Sequence, residues 1–316
     1  MPTKDSPHLT RLQQRLLDLL ITHRALTSRQ IAVITDGNLA SRKRALGQLE
    51  TQGYVASEPI RLRARPGRPE TGWRTTPAGH GVTKRRRGRG AALATVGGRD
   101  ESMAHRVMLN WVPVQLPSLE AMVPGLTASW RDDATGTIAE QTVELDSGEN
   151  TSFIPDGVLL LTHAPSGQSL LYFVEADTGT EPLRSNVNPA RSLKHKLRVY
   201  QAYFRDGGYQ KIATRLAQQP RNNRRGNRSS GLHVCGFRLL LVTSNASRFD
   251  AVCDLVRATP PAGFIWVTQE DDLVEHGLWA SVWAPGGQVG EPAESIVDAL
   301  CPDPCPSPPW ARGEAL

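Results

Sequence analysis

The longest apolar runs in this chain are strand-sized, and that narrows the folds open to it. Gly157 to Leu161, Ser169 to Val174 and Leu239 to Val242 are short, mostly aliphatic and bounded by turn residues. Such runs suit strands buried in a sheet covered by helices. A membrane-crossing helix needs roughly 18 or more consecutive apolar residues, and no stretch approaches that. The first residues, MPTKDSPHLTRLQQ, lack the apolar core of a secretory leader. The expectation is a cytoplasmic protein with no membrane partner. Its 316 residues, 39% of them hydrophobic, suffice for two domains with real cores.

Charge divides the chain more sharply than length does. Residues 1–95 hold 18 Lys/Arg against 6 Asp/Glu, a balance of +12, whereas the remainder holds 19 against 25, a balance of −6. A basic module joined to a mildly acidic one points to a polyanion partner for the first, and double-stranded DNA is the expected one. The cysteines carry little. Cys235 and Cys253 lie in apolar contexts and read as reduced core thiols, and Cys301 and Cys305 in CPDPC lack two further ligands for a closed zinc site.

The basic module reads as helices followed by a hairpin. Leu9, Leu12, Leu16, Leu19 and Leu20 keep a helical period between Pro7 and His23. Thr27 with Gln30 forms a capping-box pattern opening a short helix to about Ile34, and Asp36-Gly37 is a turn signal. A third helix spans about Leu39 to Gln52, with Leu39, Leu46 and Leu49 inward and Arg42, Lys43 and Arg44 outward. Tyr54 to Ser57, Ile60 to Arg63 and Trp73 to Thr75 are strand-like, around a tip from Arg65 to Gly72 that holds Arg65 and Arg68. This is the order of a winged helix-turn-helix, in which the third helix enters the major groove and the hairpin tip meets backbone or minor groove. The candidate DNA contacts are therefore Arg42, Lys43, Arg44, Arg65 and Arg68. KRRRGRG, from Lys84, reads as a flexible basic linker. The domain plan is a DNA-binding module over 1–83, a linker over 84–100, an α/β domain over 101–284 and a Pro-rich tail over 285–316.

In the second domain the pattern runs helix (Ala104 to Trp111), a strand hairpin (Phe153 to Leu161 and Leu170 to Asp177, joined by HAPSGQS), helix (about Asn188 to Phe204), strand (Phe237 to Val242), helix (Phe249 to Ala258) and strand (Phe264 to Thr268). An Arg-rich stretch, QQPRNNRRGNRSSG, interrupts it from Gln218. The order implies an α/β sandwich with a mixed sheet.

Its chemistry, if any, lies around Asp156, Glu175 and Asp177. Period-two alternation puts Glu175 and Asp177 on one face, and a paired hairpin brings Asp156 toward them. Three such carboxylates repel unless a hard cation such as Mg²⁺ or Mn²⁺, or a basic side chain, compensates. The next helix offers Lys194, Lys196 and Arg198. The alternative is an inactive scaffold in which Asp156 caps a turn and the other two pair with Arg or Lys.

Pro155-Asp156 and Glu175, with the two acids 19 residues apart, resemble the PD-(D/E)xK nuclease core. That likeness implies a restriction-endonuclease-like α/β fold with Asp156, Glu175 and Asp177 as metal ligands. Asp177 stands where the motif has lysine, and Lys194 or Lys196 from the neighbouring helix would take the lysine's part. A wider likeness covers nearly the whole chain. AHRVMLN, IPDGVLLL, FVEADTGTEP, SLKHKLRVYQAYF, LLLVT and GLWASVW together resemble the replication-relaxation family of plasmids and integrative elements, most diagnostically EADTGT from Glu175 and the pair Lys196 and Tyr200. The resemblance implies a DNA-binding role in replication, DNA relaxation or mobilisation. Two other classes stay open: a metal-dependent nuclease or nickase with a degenerate site, and a winged-helix transcriptional regulator or adaptor whose second domain binds a relaxase or replication protein.

Overall fold

A computed structural model describes residues 9–35, 37–60, 70–87, 102–132, 138–218, 234, 236–290 and 293–300. Two compact units divide between Gln115 and Leu116. The chain is mixed α/β, with helices and a small sheet first and a larger mixed sheet after.

The first unit opens with α1 (Arg11–His23), started by a capping box in which Thr10 and Gln13 satisfy each other's backbone N–H. Its buried face is Gln13, Leu16, Leu17, Leu20 and Ile21, and Leu12 and Leu19 of the same leucine period lie half-exposed beside it. Strand β1 (Ala25–Thr27) follows, then α2 (Ser28–Thr35) and α3 (Leu39–Thr51). The Thr27–Gln30 capping box forms as expected: the Gln30 amide donates to Thr27 Oγ1 at 3.1 Å, and the Thr27 amide to Gln30 Oε1 at 2.9 Å. Leu46 and Leu49 of α3 are buried, whereas Leu39 is only half-buried.

The hairpin consists of β2 (Val55–Ile60) and β3 (Glu70–Thr75), with β1 on the far side of β3. Two expectations change here. Pro59 does not break the first strand, because β2 is an edge of the three-stranded sheet and its missing N–H costs no ladder bond. The return strand begins at Glu70, paired with Ile60, rather than at Trp73. Next comes α4 (Pro77–Arg87), with Pro at the helix start and Thr76 Oγ1 accepting from the Gly79 amide at 3.2 Å. Lys84 to Arg87 therefore complete a helix instead of beginning a flexible linker. Thr83 is fully buried on that helix, and Arg86 reaches Asp18 of α1 at 2.5 Å.

Helix α5 (Met103–Asn110) belongs to this first unit, not to the α/β domain where the sequence reading put it. Its apolar stripe, Met103 and Val107, buries against Ala25 and Ile60. Gln30 Nε2 donates to the Val107 carbonyl at 2.7 Å, and Asn110 Nδ2 to the Ala25 carbonyl at 2.6 Å.

The second unit contains α6 (Leu116–Met122), β4 (Leu126–Asp132), the small ribbon of β5 (Gln141–Glu144) and β6 (Asn150–Phe153), then β7 (Gly157–His163) and β8 (Gln168–Asp177). After these come α7 (Leu193–Asp206), α8 (Tyr209–Gln218), β9 (Phe237–Thr243), α9 (Ala246–Arg257), β10 (Ile265–Gln269), α10 (Glu270–His276) and β11 (Ala284–Pro285). The six-stranded sheet has the order β11-β10-β9-β8-β7-β4. β8, β9 and β10 run parallel, while β4, β7 and β11 pair antiparallel with their neighbours. The mixed sheet is thus as expected, with α8 an addition the periodicity did not flag.

Two boundaries shift for physical reasons. The run from Phe153 to Leu161 is two strands, because Pro155 cannot donate to a ladder and the chain leaves β6 before re-entering as β7. Nor is the segment after Trp283 all tail: Ile296, Val297 and Leu300 are buried, and the Tyr172 hydroxyl donates to the Ile296 carbonyl. Phe173, Leu239 and Leu241 on one sheet face pack with Leu197, Tyr200 and Tyr203 of α7 and Val252 and Val256 of α9. Cys253 lies in that core as a free thiol, and burial pushes its pKa up to about 12. No helix among the described residues is long and apolar enough to cross a membrane.

Candidate functional site

The register of the β7–β8 hairpin assembles the acidic site. Gly157 pairs with Val174, so Asp156, one step back, faces Glu175, one step on. Directly opposed residues of an antiparallel pair share a sheet face. The Asp156 carboxylate also accepts the Ala176 amide at 3.0 Å, fixing the turn into β7. Alternation along β8 puts Glu175 and Asp177 on the same face as Phe173, the face that α7 covers. Glu175 is only 4% exposed.

Helix α7 supplies the groups that make this burial tolerable. Ser192 caps it, and Lys196 and Tyr200 stand one turn apart on the side toward β8. Lys196 Nζ lies 3.1 Å from Glu175 Oε2 and 3.4 Å from Glu181. The Tyr200 hydroxyl donates to Glu175 Oε1 at 2.5 Å. The Tyr200 ring meanwhile packs edge-on to Phe153 at 5.0 Å, so this residue is both core and site. The electrostatics follow. Burial, then the neighbouring Asp156 carboxylate, pushes Glu175 up to about 7, against the pull of Lys196 and Tyr200. Burial also works against the Lys196 charge, but Glu175, Asp156 and Glu181 outweigh it and hold the ammonium more firmly than in water. Burial and Glu175 together raise the Tyr200 hydroxyl well above its ordinary value, so it is a donor.

Asp177 is not part of that cluster. Arg248 of α9 grips it with two bonds, Nε at 2.7 Å and Nη2 at 3.0 Å. The same guanidinium donates to the Glu181 carbonyl at 2.6 Å, and the Gly179 amide donates to Asp177 Oδ1 at 3.0 Å. Gly179 has φ +82°, a left-handed turn that glycine adopts freely. Of the three carboxylates expected at one site, Asp156 and Glu175 lie together, and Asp177 is held by Arg248. Among the described residues, no group of three or more His, Cys, Asp or Glu side chains is placed to hold a metal ion. Lys194 is half-buried and two residues from Lys196, about 200° around the helix, so only Lys196 reaches the carboxylates.

The remaining arrangement is a carboxylate pair, Asp156 and Glu175, with one ammonium and one hydroxyl on Glu175. It lies beside the carboxyl ends of β8 and β9, where open α/β sheets bind ligands. A carboxyl with a raised pKa next to a fixed cation can exchange a proton near neutral pH while the cation offsets developing negative charge.

Sequence reasoning missed Arg248 and Glu181 and assigned Tyr200 no contact with Glu175. A helix after β9 was legible, but which of its residues faces β8 depends on the parallel register of β8 and β9, which no local pattern encodes.

On the basic module, Lys43 and Arg44 are exposed on α3. Arg42 turns inward: its Nε donates to Thr35 Oγ1 at 2.8 Å, bracing the end of α2. Arg65 and Arg68 lie outside the described residues, as does nearly all of QQPRNNRRGNRSSG.

No curated protein matches the chain. Among solved structures, a mutant of ZitR from Lactococcus lactis is similar at 24% identity with a TM-score of 0.22, over 28% of this chain and 57% of that one, which is too slight a likeness to bear on the fold. The replication-relaxation family model matches residues 17–216. That span takes in most of the first unit, the carboxylate hairpin and Lys196 and Tyr200 alike, and the chain belongs to the replication-relaxation family.

Proposed function

We propose that this protein binds duplex DNA through its first unit and acts in the replication or relaxation of a plasmid or integrative element. The observation that carries the reading is α3: the second helix of a helix-turn-helix pair, capped by Asn38, with Lys43 and Arg44 exposed on a module of balance +12. Family membership supports the setting, with DNA and the replication machinery as partners. Arg42 positions the turn between α2 and α3 rather than touching DNA. Binding of a labelled duplex over a salt series tests this. Each phosphate contact adds about 0.9 to the slope of log affinity against log salt, so Lys43→Ala with Arg44→Ala is expected to flatten it by roughly 2. A duplex bound without salt dependence, or a double variant with the parent slope, overturns the reading.

A second reading is favoured by one observation, the juxtaposition of Asp156, Glu175 and Lys196. In this reading the second unit hydrolyses a phosphodiester: Glu175 takes a proton from the water whose oxygen bonds to phosphorus, the P–O bond to the leaving sugar oxygen breaks, that oxygen takes up a proton from solvent, and the Lys196 ammonium faces the charge that develops on phosphate. Supercoiled plasmid incubated with the protein and Mg²⁺ or Mn²⁺ is the test. Relaxed or nicked product that Lys196→Met lowers by 100-fold or more, in the range general acid–base groups contribute, supports it. Unchanged topology removes it.

A further inference from the structure

From Pro182 to Arg205 the chain carries Arg184, Arg191, Lys194, Lys196, Arg198 and Arg205 with His195, and not one Asp or Glu. This run sits in the unit whose half of the chain is otherwise net acidic. Its loop, residues 182–192, folds back onto the first turn of α7, and loop and helix together are here called the collar. Arg184, Arg191 and Arg198 are exposed, and Lys194 and His195 partly so. Among the described residues, Arg184, Arg191, Lys194 and Arg198 make no ion pair, in contrast to Arg205 with Asp146 and Arg248 with Asp177.

The collar is held in place. The Leu193 and Lys194 amides donate to the Pro182 and Leu183 carbonyls at 3.0 Å each, pinning the loop to the helix start. Within the loop, the Asn188 amide donates to Ser185 Oγ at 2.9 Å, and Pro189–Arg191 forms a 3-10 turn. At its root Glu181 touches both Lys196 through its carboxylate and Arg248 through its carbonyl. The basic surface therefore begins at the edge of the carboxylate site. Unpaired like charges so close together repel one another, and a polyanion relieves that cost while releasing its own counterions.

We propose that this collar is a second DNA-contacting surface, which engages the phosphate backbone and brings a strand alongside Asp156, Glu175 and Lys196. The proposal rests on the protein being a DNA binder but not on α3 being the contact. Backbone recognition of this kind adds affinity without sequence choice.

The test uses the full-length protein, a labelled random-sequence duplex and the matching single strand. Arg184→Gln, Arg191→Gln and Arg198→Gln combined should flatten the salt slope by roughly 2 to 3 on at least one of the two probes. A photo-crosslinking residue in place of Val187, which is 97% exposed, should join the loop to the same DNA in the otherwise unaltered protein. If the triple variant keeps the parent slope while the Lys43/Arg44 variant loses it, the collar proposal fails and the α3 reading stands. The opposite pattern keeps the collar and removes α3. If the triple variant keeps its DNA slope but loses binding to phosphatidylglycerol vesicles, the collar serves a lipid surface and the proposal fails. Absence of crosslinking at position 187 also counts against it.

Discussion

Arg248→Ala should unfold with about 3–5 kcal/mol less free energy than the parent, the loss seen when one partner of a buried ion pair is removed. The guanidinium and carboxylate are nearly dry, with side-chain exposures of 13% for Arg248 and 5% for Asp177. The substitution leaves Asp177 with its Gly179 amide bond but no counter-charge in a place water barely reaches. It also frees the Glu181 carbonyl, loosening the root of the loop before α7. Arg248→Lys should fall in between, because an ammonium restores charge but not the two-pronged geometry. Urea unfolding followed by far-ultraviolet circular dichroism and tryptophan fluorescence measures this, with Trp266, Trp279 and Trp283 buried in this unit and Trp73 and Trp111 in the first. A stability within about 0.5 kcal/mol of the parent, the range of an ordinary surface substitution, would show that Asp177 does not depend on Arg248.

Stability of the second unit should also fall as pH rises from about 5 to about 8, with Glu175 as the main source. Its carboxyl titrates near 4.5 when unfolded and is raised to about 7 in the fold by burial and then by Asp156. The native state therefore holds the proton more tightly and binds more protons than the unfolded chain inside that window. Stability is then greatest at its acid end and is lost as pH climbs through the folded value. Lys196 adds no slope here, because it stays charged in both states. At 1.36 kcal/mol per unit the change is on the order of 2 to 3 kcal/mol. Glu175→Gln keeps the side-chain shape and an oxygen for the Tyr200 hydroxyl but cannot titrate. Its urea midpoints should vary much less across that range, and the two proteins should differ most at the alkaline end. Parallel pH profiles would assign the dependence to other groups.

The contrast between Asp177 and Glu175 shows where sequence reasoning stops. Alternation along the strand correctly placed both on one face, and it offered either a shared cation or basic partners as compensation. The structure gives each a different basic side chain, Lys196 of α7 to Glu175 and Arg248 of α9 to Asp177. Lys196 entered together with Lys194, as a lysine from the neighbouring helix that could take the motif lysine's part. Arg248 carried no such mark. Arg42, Lys43 and Arg44 were indistinguishable as a run of charge, yet the helical period separates them by about 100° each, and Arg42 falls toward Thr35.

By itself the sequence determined the periodic elements: the strand-sized runs around Leu160, Phe173 and Leu241, the capping box at Thr27, the helix bearing Lys196 and Tyr200, and the split of charge between the two halves. These are local properties, set by side-chain spacing along a few turns or a few pleats. Only the tertiary structure decided what is set by pairing between distant segments. The antiparallel register put Asp156 opposite Glu175, and the parallel β8–β9 pairing delivered Arg248 to Asp177. Docking of Met103 and Val107 onto the small sheet assigned α5 to the first unit. Edge position let Pro59 stay within a strand. In each case the deciding interaction, whether strand pairing, burial or an ion pair, joins residues far apart in the chain, and no local window of sequence contains both partners.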